Sequence, residues 1–108
     1  TTDTRTESIV APQALFMMNN PFVREQAAGL AKRALASGAS ARDRIRFVHE
    51  LALSRRPQDD ELNRAEKFLE RCREEFHRAG GPKDAQELEA WTSYARVLLT
   101  ANEFIYID

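Results

Sequence analysis

A chain of 108 residues with 43% hydrophobic and 31% charged side chains, four glycines and four prolines, is long enough for one core and too apolar to stay disordered. Its single cysteine, Cys72, excludes an internal disulfide or a cysteine-based zinc ribbon, and no run approaches the roughly eighteen apolar residues of a membrane span. The net charge of −1 conceals an asymmetry, because residues 20–56 carry eight basic and three acidic side chains while residues 57–108 carry seven basic and twelve acidic. Such halves either attract each other or offer a basic face to an anion.

Helical periodicity recurs along the chain and no stretch alternates like a strand, which predicts an all-α fold: a compact bundle of about five helices with a short apolar C-terminal tail. Residues 1–10 are polar and Thr-rich and read as an extended lead-in to a single helical domain over 11–108. Thr1-Thr2-Asp3-Thr4-Arg5 lacks the features of a signal peptide, so either the chain is cytosolic or its targeting signal lies upstream. After Pro12, Gln13–Met18 reads as a short helical turn. Asn20-Pro21 is an N-cap with proline at the first helical position, and starts a helix that runs to about Ala36. Phe22, Val23, Gln26, Ala27, Leu30, Ala31 and Ala34 form its expected apolar stripe, and Ser37-Gly38 closes it.

Ser40 caps the next helix, with Ile45, Val48, Leu51 and Ala52 expected inside and Arg42, Arg46, His49 and Glu50 outside or at the edge. Arg55-Arg56-Pro57 interrupts it, since the residue before proline is pushed out of the helical region. Asp59, Asp60 and Glu61 then place three carboxylates in the first turn of a long helix, where its dipole favours them. Leu62, Ala65, Leu69, Cys72 and Phe76 form its seam, with Asp60/Arg64 and Glu74/Arg78 as outward pairs. Ala79-Gly80-Gly81-Pro82 ends it. A last helix over about 85–101 repeats the seam with Leu88, Trp91, Ala95 and Leu98, and pairs with its predecessor as an antiparallel hairpin.

Several residues invite chemistry. His49-Glu50 begins like a helical zinc-protease motif, but Leu53 stands where the second histidine must fall. Cys72 and His77 are five residues apart, about 140° around a helix, which points a thiol and its would-be base in different directions. Met17-Met18 could offer a thioether to haem iron, yet the chain has no Cys-x-x-Cys-His for covalent haem. Asp59-Asp60-Glu61 and Glu74-Glu75 are explained by helix polarity and solvation. No catalytic, cofactor or metal residue is therefore assigned. The rival reading is nucleic-acid or polyanion binding through an arginine-rich face of Arg42, Arg46, Arg55 and Arg56. Arg44 on the opposite side, the acidic start of the following helix and the negative net charge argue against nucleic acid.

Three stretches carry a resemblance: Ser8-Ile9-Val10-Ala11-Pro12-Gln13-Ala14-Leu15-Phe16-Met17-Met18-Asn19-Asn20-Pro21-Phe22-Val23, then Ala52-Leu53-Ser54-Arg55-Arg56-Pro57 leading to Glu61-Leu62, and finally Leu98-Leu99-Thr100-Ala101-Asn102-Glu103-Phe104-Ile105-Tyr106-Ile107-Asp108. They resemble the C-terminal portion of the planctomycete domain of unknown function that follows a planctomycete cytochrome-c-like domain in large exported proteins. Ser54 and Arg56 stand where that family more often has glycine and proline.

The resemblance implies a C-terminal fragment of an exported parent, hence an extracytoplasmic setting. Any haem c belongs to the parent, and no enzymatic activity is implied for this portion. The expected role is a non-catalytic module that docks against the upstream domains of the same polypeptide, with homo-oligomers also open. Its structural or docking candidates are Pro12, Gln13, Asn20, Pro21, Trp91, Asn102, Glu103, Phe104 and Tyr106. Asn102 is expected to turn left-handed and end the last helix, so that Phe104 and Tyr106 fold back as an apolar clasp.

Overall fold

Asn20 opens the first helix as the sequence requires: its side-chain oxygen accepts the Phe22 N–H at 2.8 Å, and Pro21 follows at the first helical position. The computed structural model describes the backbone of residues 19–107 and the side chains of residues 19–101. Within these lie four α-helices: α1 (Pro21–Ala36), α2 (Ala41–Leu53), α3 (Asp59–Arg78) and α4 (Gln86–Ile107), the last preceded by a 3₁₀ turn at Lys83–Ala85. No strand occurs among the described residues, so the fold is all-α. The expected turn over 13–18 and the lead-in over 1–10 lie outside the described residues.

Local chemistry sets each boundary. Ser37 and Gly38, at φ 72°, close α1, and the Ser40 hydroxyl accepts the Asp43 N–H to open α2. Arg44 bonds the Leu35 carbonyl, and Arg33 lies over the Phe47 ring, so α1 and α2 run antiparallel. Arg73 against Glu87 and Phe68 against Tyr94 give α3 and α4 the same relation.

The core forms where the four helices meet. Ala27, Ala31 and Ala34 give α1 a thin face, and Ile45, Val48, Leu62, Leu69 and Trp91 fill the space it leaves. Trp91 is fully enclosed, meets Tyr94 edge-on at 6.1 Å, and donates its indole N–H to Glu87. An aromatic pair of this kind contributes about 1 kcal/mol beyond its buried area.

Four expectations are corrected. Phe22, placed on the inner stripe of α1, is 66% exposed, and Gln26 is exposed too, because the buried face is the narrower line of Val23, Ala27, Ala31 and Ala34. On α2, His49 and Leu51 exchange places: His49 is buried and Leu51 is 46% exposed. Burial of the imidazole is tolerable because a backbone carbonyl and a carboxylate lie beside it. Glu74 and Arg78 form no ion pair, whereas Asp60 and Arg64 do at 3.2 Å. Finally, α4 does not stop at Asn102 but continues to Ile107, and Ser54 is the only non-glycine residue with positive φ among those described. The backbone of Leu98–Ile107 is thus a helix end and not a separate tail. The segment contains neither glycine nor proline, and one asparagine does not break a helix that its neighbours sustain.

Candidate functional site

The densest polar cluster forms at the α2–α3 corner. Ser54 ends α2 in the left-handed conformation, at φ 60° and ψ 29°, with its N–H donated to Glu50 O at 2.8 Å. The chain then passes Arg55, Arg56 and Pro57 and re-enters a helix at Asp59. Glu61, third in that helix, reaches back across the corner. Its Oε1 accepts the Gln58 N–H at 2.8 Å and Arg55 Nη1 at 3.0 Å, and its Oε2 accepts Arg55 Nη2 at 2.8 Å. The Arg55 guanidinium first, and the Gln58 N–H second, hold the Glu61 carboxyl at about 2, well below its ordinary 4.5.

His49 locks the corner from beneath. It is 3% exposed, and its Nδ1 lies 3.0 Å from the Arg55 carbonyl, a contact that requires the proton on Nδ1. Its Nε2 lies 3.8 Å from Glu61 Oε1, too far for a hydrogen bond. Beside this cluster a groove of about 300 Å³ opens between α2, α3 and α4, walled by Leu53, Phe68, Tyr94 and Leu98, with Arg64 and Arg71 at the rim. Tyr94 is 6% exposed. Burial, and secondarily the Glu61 charge, push its hydroxyl's pKa up, so it stays protonated.

A second polar bridge ties α3 to α4. Arg73 donates from Nε to Glu87 Oε2 at 2.6 Å and from Nη2 to Oε1 at 3.1 Å, and the same Oε1 accepts Trp91 Nε1 at 3.3 Å. Arg73 leads in holding the Glu87 carboxyl below its usual range. This bridge orients the core tryptophan.

The chemistry open to these groups is narrow. Glu61 is charged and salt-bridged, so it holds no proton to transfer near neutrality. Burial, aided by Glu75, raises the Cys72 thiol, which opposes formation of a nucleophilic thiolate. Glu50 turns away from His49 to Arg56, at 3.3 Å. Among the described residues no group of three or more His, Cys, Asp or Glu side chains is placed to hold a metal, and no helix is long and apolar enough to cross a membrane. Arg42, Arg46, Arg55 and Arg56 each have a carboxylate partner, Glu66, Asp43, Glu61 and Glu50 respectively.

The residues singled out from the sequence are not brought together. Asn20 and Pro21 cap α1, and Trp91 sits in the core. Pro12 and Gln13, and the side chains of Asn102, Glu103, Phe104 and Tyr106, lie outside the described residues. The residues that do cluster, His49, Arg55, Glu61 and Tyr94, were legible only in part. Glu61 falls three residues after Gln58, the spacing of a reciprocal helix cap, and Tyr94 falls three after Trp91 on the same helical face.

Residues 1–69 match the family model described as PSD1, protein of unknown function (DUF1553), a range that takes in α1, α2, the α2–α3 corner and α3 as far as Leu69. No curated protein and no solved structure matches the chain.

Proposed function

We propose, from the premise that the chain belongs to the PSD1 (DUF1553) family of proteins of unknown function, that it is a non-catalytic helical module that docks against the rest of a larger polypeptide. The observation that carries this reading is a pair of exposed large apolar side chains, Phe22 on α1 and Leu51 on α2. Phe22 is largely exposed, and Gln26 and Leu30 follow it at four-residue spacing on one helix face. Gln26 and Leu30 then line, with Leu51 and Leu99, a groove of about 360 Å³ to which Glu25 and Arg33 add charged edges. Large apolar side chains standing together at a surface mark an interaction site more often than scattered ones do. The Arg55–Glu61 and Arg73–Glu87 pairs, by contrast, are occupied in holding helices together.

The occupant we assign to this surface is the upstream part of the same polypeptide, which would also carry the export signal and any haem c. Hydroxyl-radical labelling of Phe22 and Leu51, compared between this chain alone and the complete polypeptide, tests it. Strong labelling in the isolated chain and suppressed labelling in the complete protein is the expected result. Equal labelling in both would sink the docking reading, and suppression that depends on the concentration of the isolated chain would assign the surface to a second copy. The polyanion reading ranks second, because the guanidiniums of Arg42, Arg46, Arg55 and Arg56 each lie within 3.3 Å of a carboxylate of this chain. A steep salt dependence in a duplex titration would restore it.

A further inference from the structure

We propose that the groove between α2, α3 and α4 is a binding site for a small uncharged alcohol or phenol, held by the Tyr94 hydroxyl and His49 Nε2. Its volume of about 300 Å³ lies at the small end of ligand sites. Its walls are apolar, supplied by Leu53, Phe68 and Leu98, while two deeply buried residues give it polar points. Polar atoms of buried side chains are normally bonded. The Tyr94 hydroxyl has no hydrogen-bond partner among the described residues, yet it is not among the polar atoms sealed from solvent, and its side chain lines this groove. His49 lines the same groove, and in the tautomer that donates Nδ1–H to the Arg55 carbonyl its Nε2 is an acceptor with no hydrogen bond, 3.8 Å from Glu61 Oε1.

A hydroxyl is the simplest ligand group that both donates and accepts, and so suits an acceptor nitrogen and a donor phenol. Charged ligands fit less well. Glu61, although paired with Arg55, faces the groove and disfavours an anion, while Arg64 and Arg71 at the rim disfavour a cation. The rings of Phe68 and Tyr94, 6.3 Å apart and tilted, offer an aromatic guest a surface on which to stack.

Titration of the whole chain with p-cresol and with toluene, followed by NMR, tests the proposal. Saturable shifts should centre on Leu53, Phe68, Tyr94 and Leu98, with p-cresol about three- to tenfold tighter than toluene, the gain of one net hydrogen bond. Tyr94→Phe removes a hydroxyl that bonds nothing among the described residues, so it should fold normally, keep toluene binding and lose the preference for p-cresol. Leu98→Trp, which fills the mouth, should abolish both. Equal affinity for the two probes, shifts centred elsewhere, no saturable shift, or a preference that survives Tyr94→Phe would each overturn the assignment. Were Tyr94→Phe to misfold, the comparison of the two probes on the unaltered chain would still decide.

Discussion

The two corners that flank α3 join consecutive helices by different means. At its C-terminal end the backbone alone makes the turn: Gly80 takes φ 86°, its N–H bonds His77 O at 3.0 Å, and the Gly81 N–H bonds Phe76 O at 2.9 Å. This is the paired closure that glycine makes easy. At the N-terminal end Ser54, a residue with a Cβ, occupies the left-handed region at φ 60°. There the turn is held by side chains from three segments, with His49 on α2, Arg55 in the loop and Glu61 on α3. A corner made of backbone is local and indifferent to pH. One made of side chains couples two helices through a carboxylate, Glu61, whose charge depends on pH.

The largest expected effect tests whether the second corner depends on its buried imidazole. His49→Ala should cost about 2–3 kcal/mol in urea unfolding, from the cavity it leaves and the Arg55 carbonyl it strands. A loss no larger than that of an exposed substitution would mean that the loop holds itself. Glu61→Gln comes next, at about 1–2 kcal/mol at neutral pH, a figure discounted for solvent screening at the more exposed Arg55. Glu61 has its carboxyl lowered on folding, from 4.5 to about 2, so its contribution is complete above the unfolded value and disappears as pH falls through the folded one. The stability gap between the unaltered chain and Glu61→Gln should therefore close between pH 4.5 and 2. Gly80→Ala should cost about 1 kcal/mol through the backbone alone. That loss should not vary with pH across the same window, which is the sharpest separation of the two corners.

The difference also explains what could be read from the sequence. Asn20-Pro21, Ser40, Pro57 and Gly80-Gly81-Pro82 act within a few residues of themselves, so the boundaries of α1, α2 and α3 were legible. The seam of Leu62, Ala65 and Leu69 followed from period alone. What escaped depends on contacts distant in sequence. His49 reads as a solvated residue beside Glu50 until the Arg55 carbonyl is brought under it, and its burial rotates Leu51 outward. Phe22 looks like core until three alanines on the neighbouring line of α1 take the contact with the other helices. Asn102 misled for the opposite reason: a local stop signal was overridden by helix-competent neighbours on both sides.

The smallest effect is the most telling, because its sign differs. Ser54 occupies the left-handed region, at φ 60° and ψ 29°, a conformation that favours glycine. A residue with a Cβ gives up about 1 kcal/mol or slightly more there. Among the described residues its hydroxyl makes no hydrogen bond that would offset the strain. Ser54→Gly would relieve the strain and return part of the gain to the greater freedom of glycine in the unfolded chain, for a net stabilisation of about 0.5 kcal/mol. That corresponds to a melting temperature higher by about 2–4 °C. If Ser54→Gly also reduced the cost of His49→Ala, the buried imidazole would be shown to act by restraining a strained turn, since independent sites simply add. Strict additivity would mean instead that His49 serves the core, and that the corner, like its glycine counterpart, needs only its own backbone.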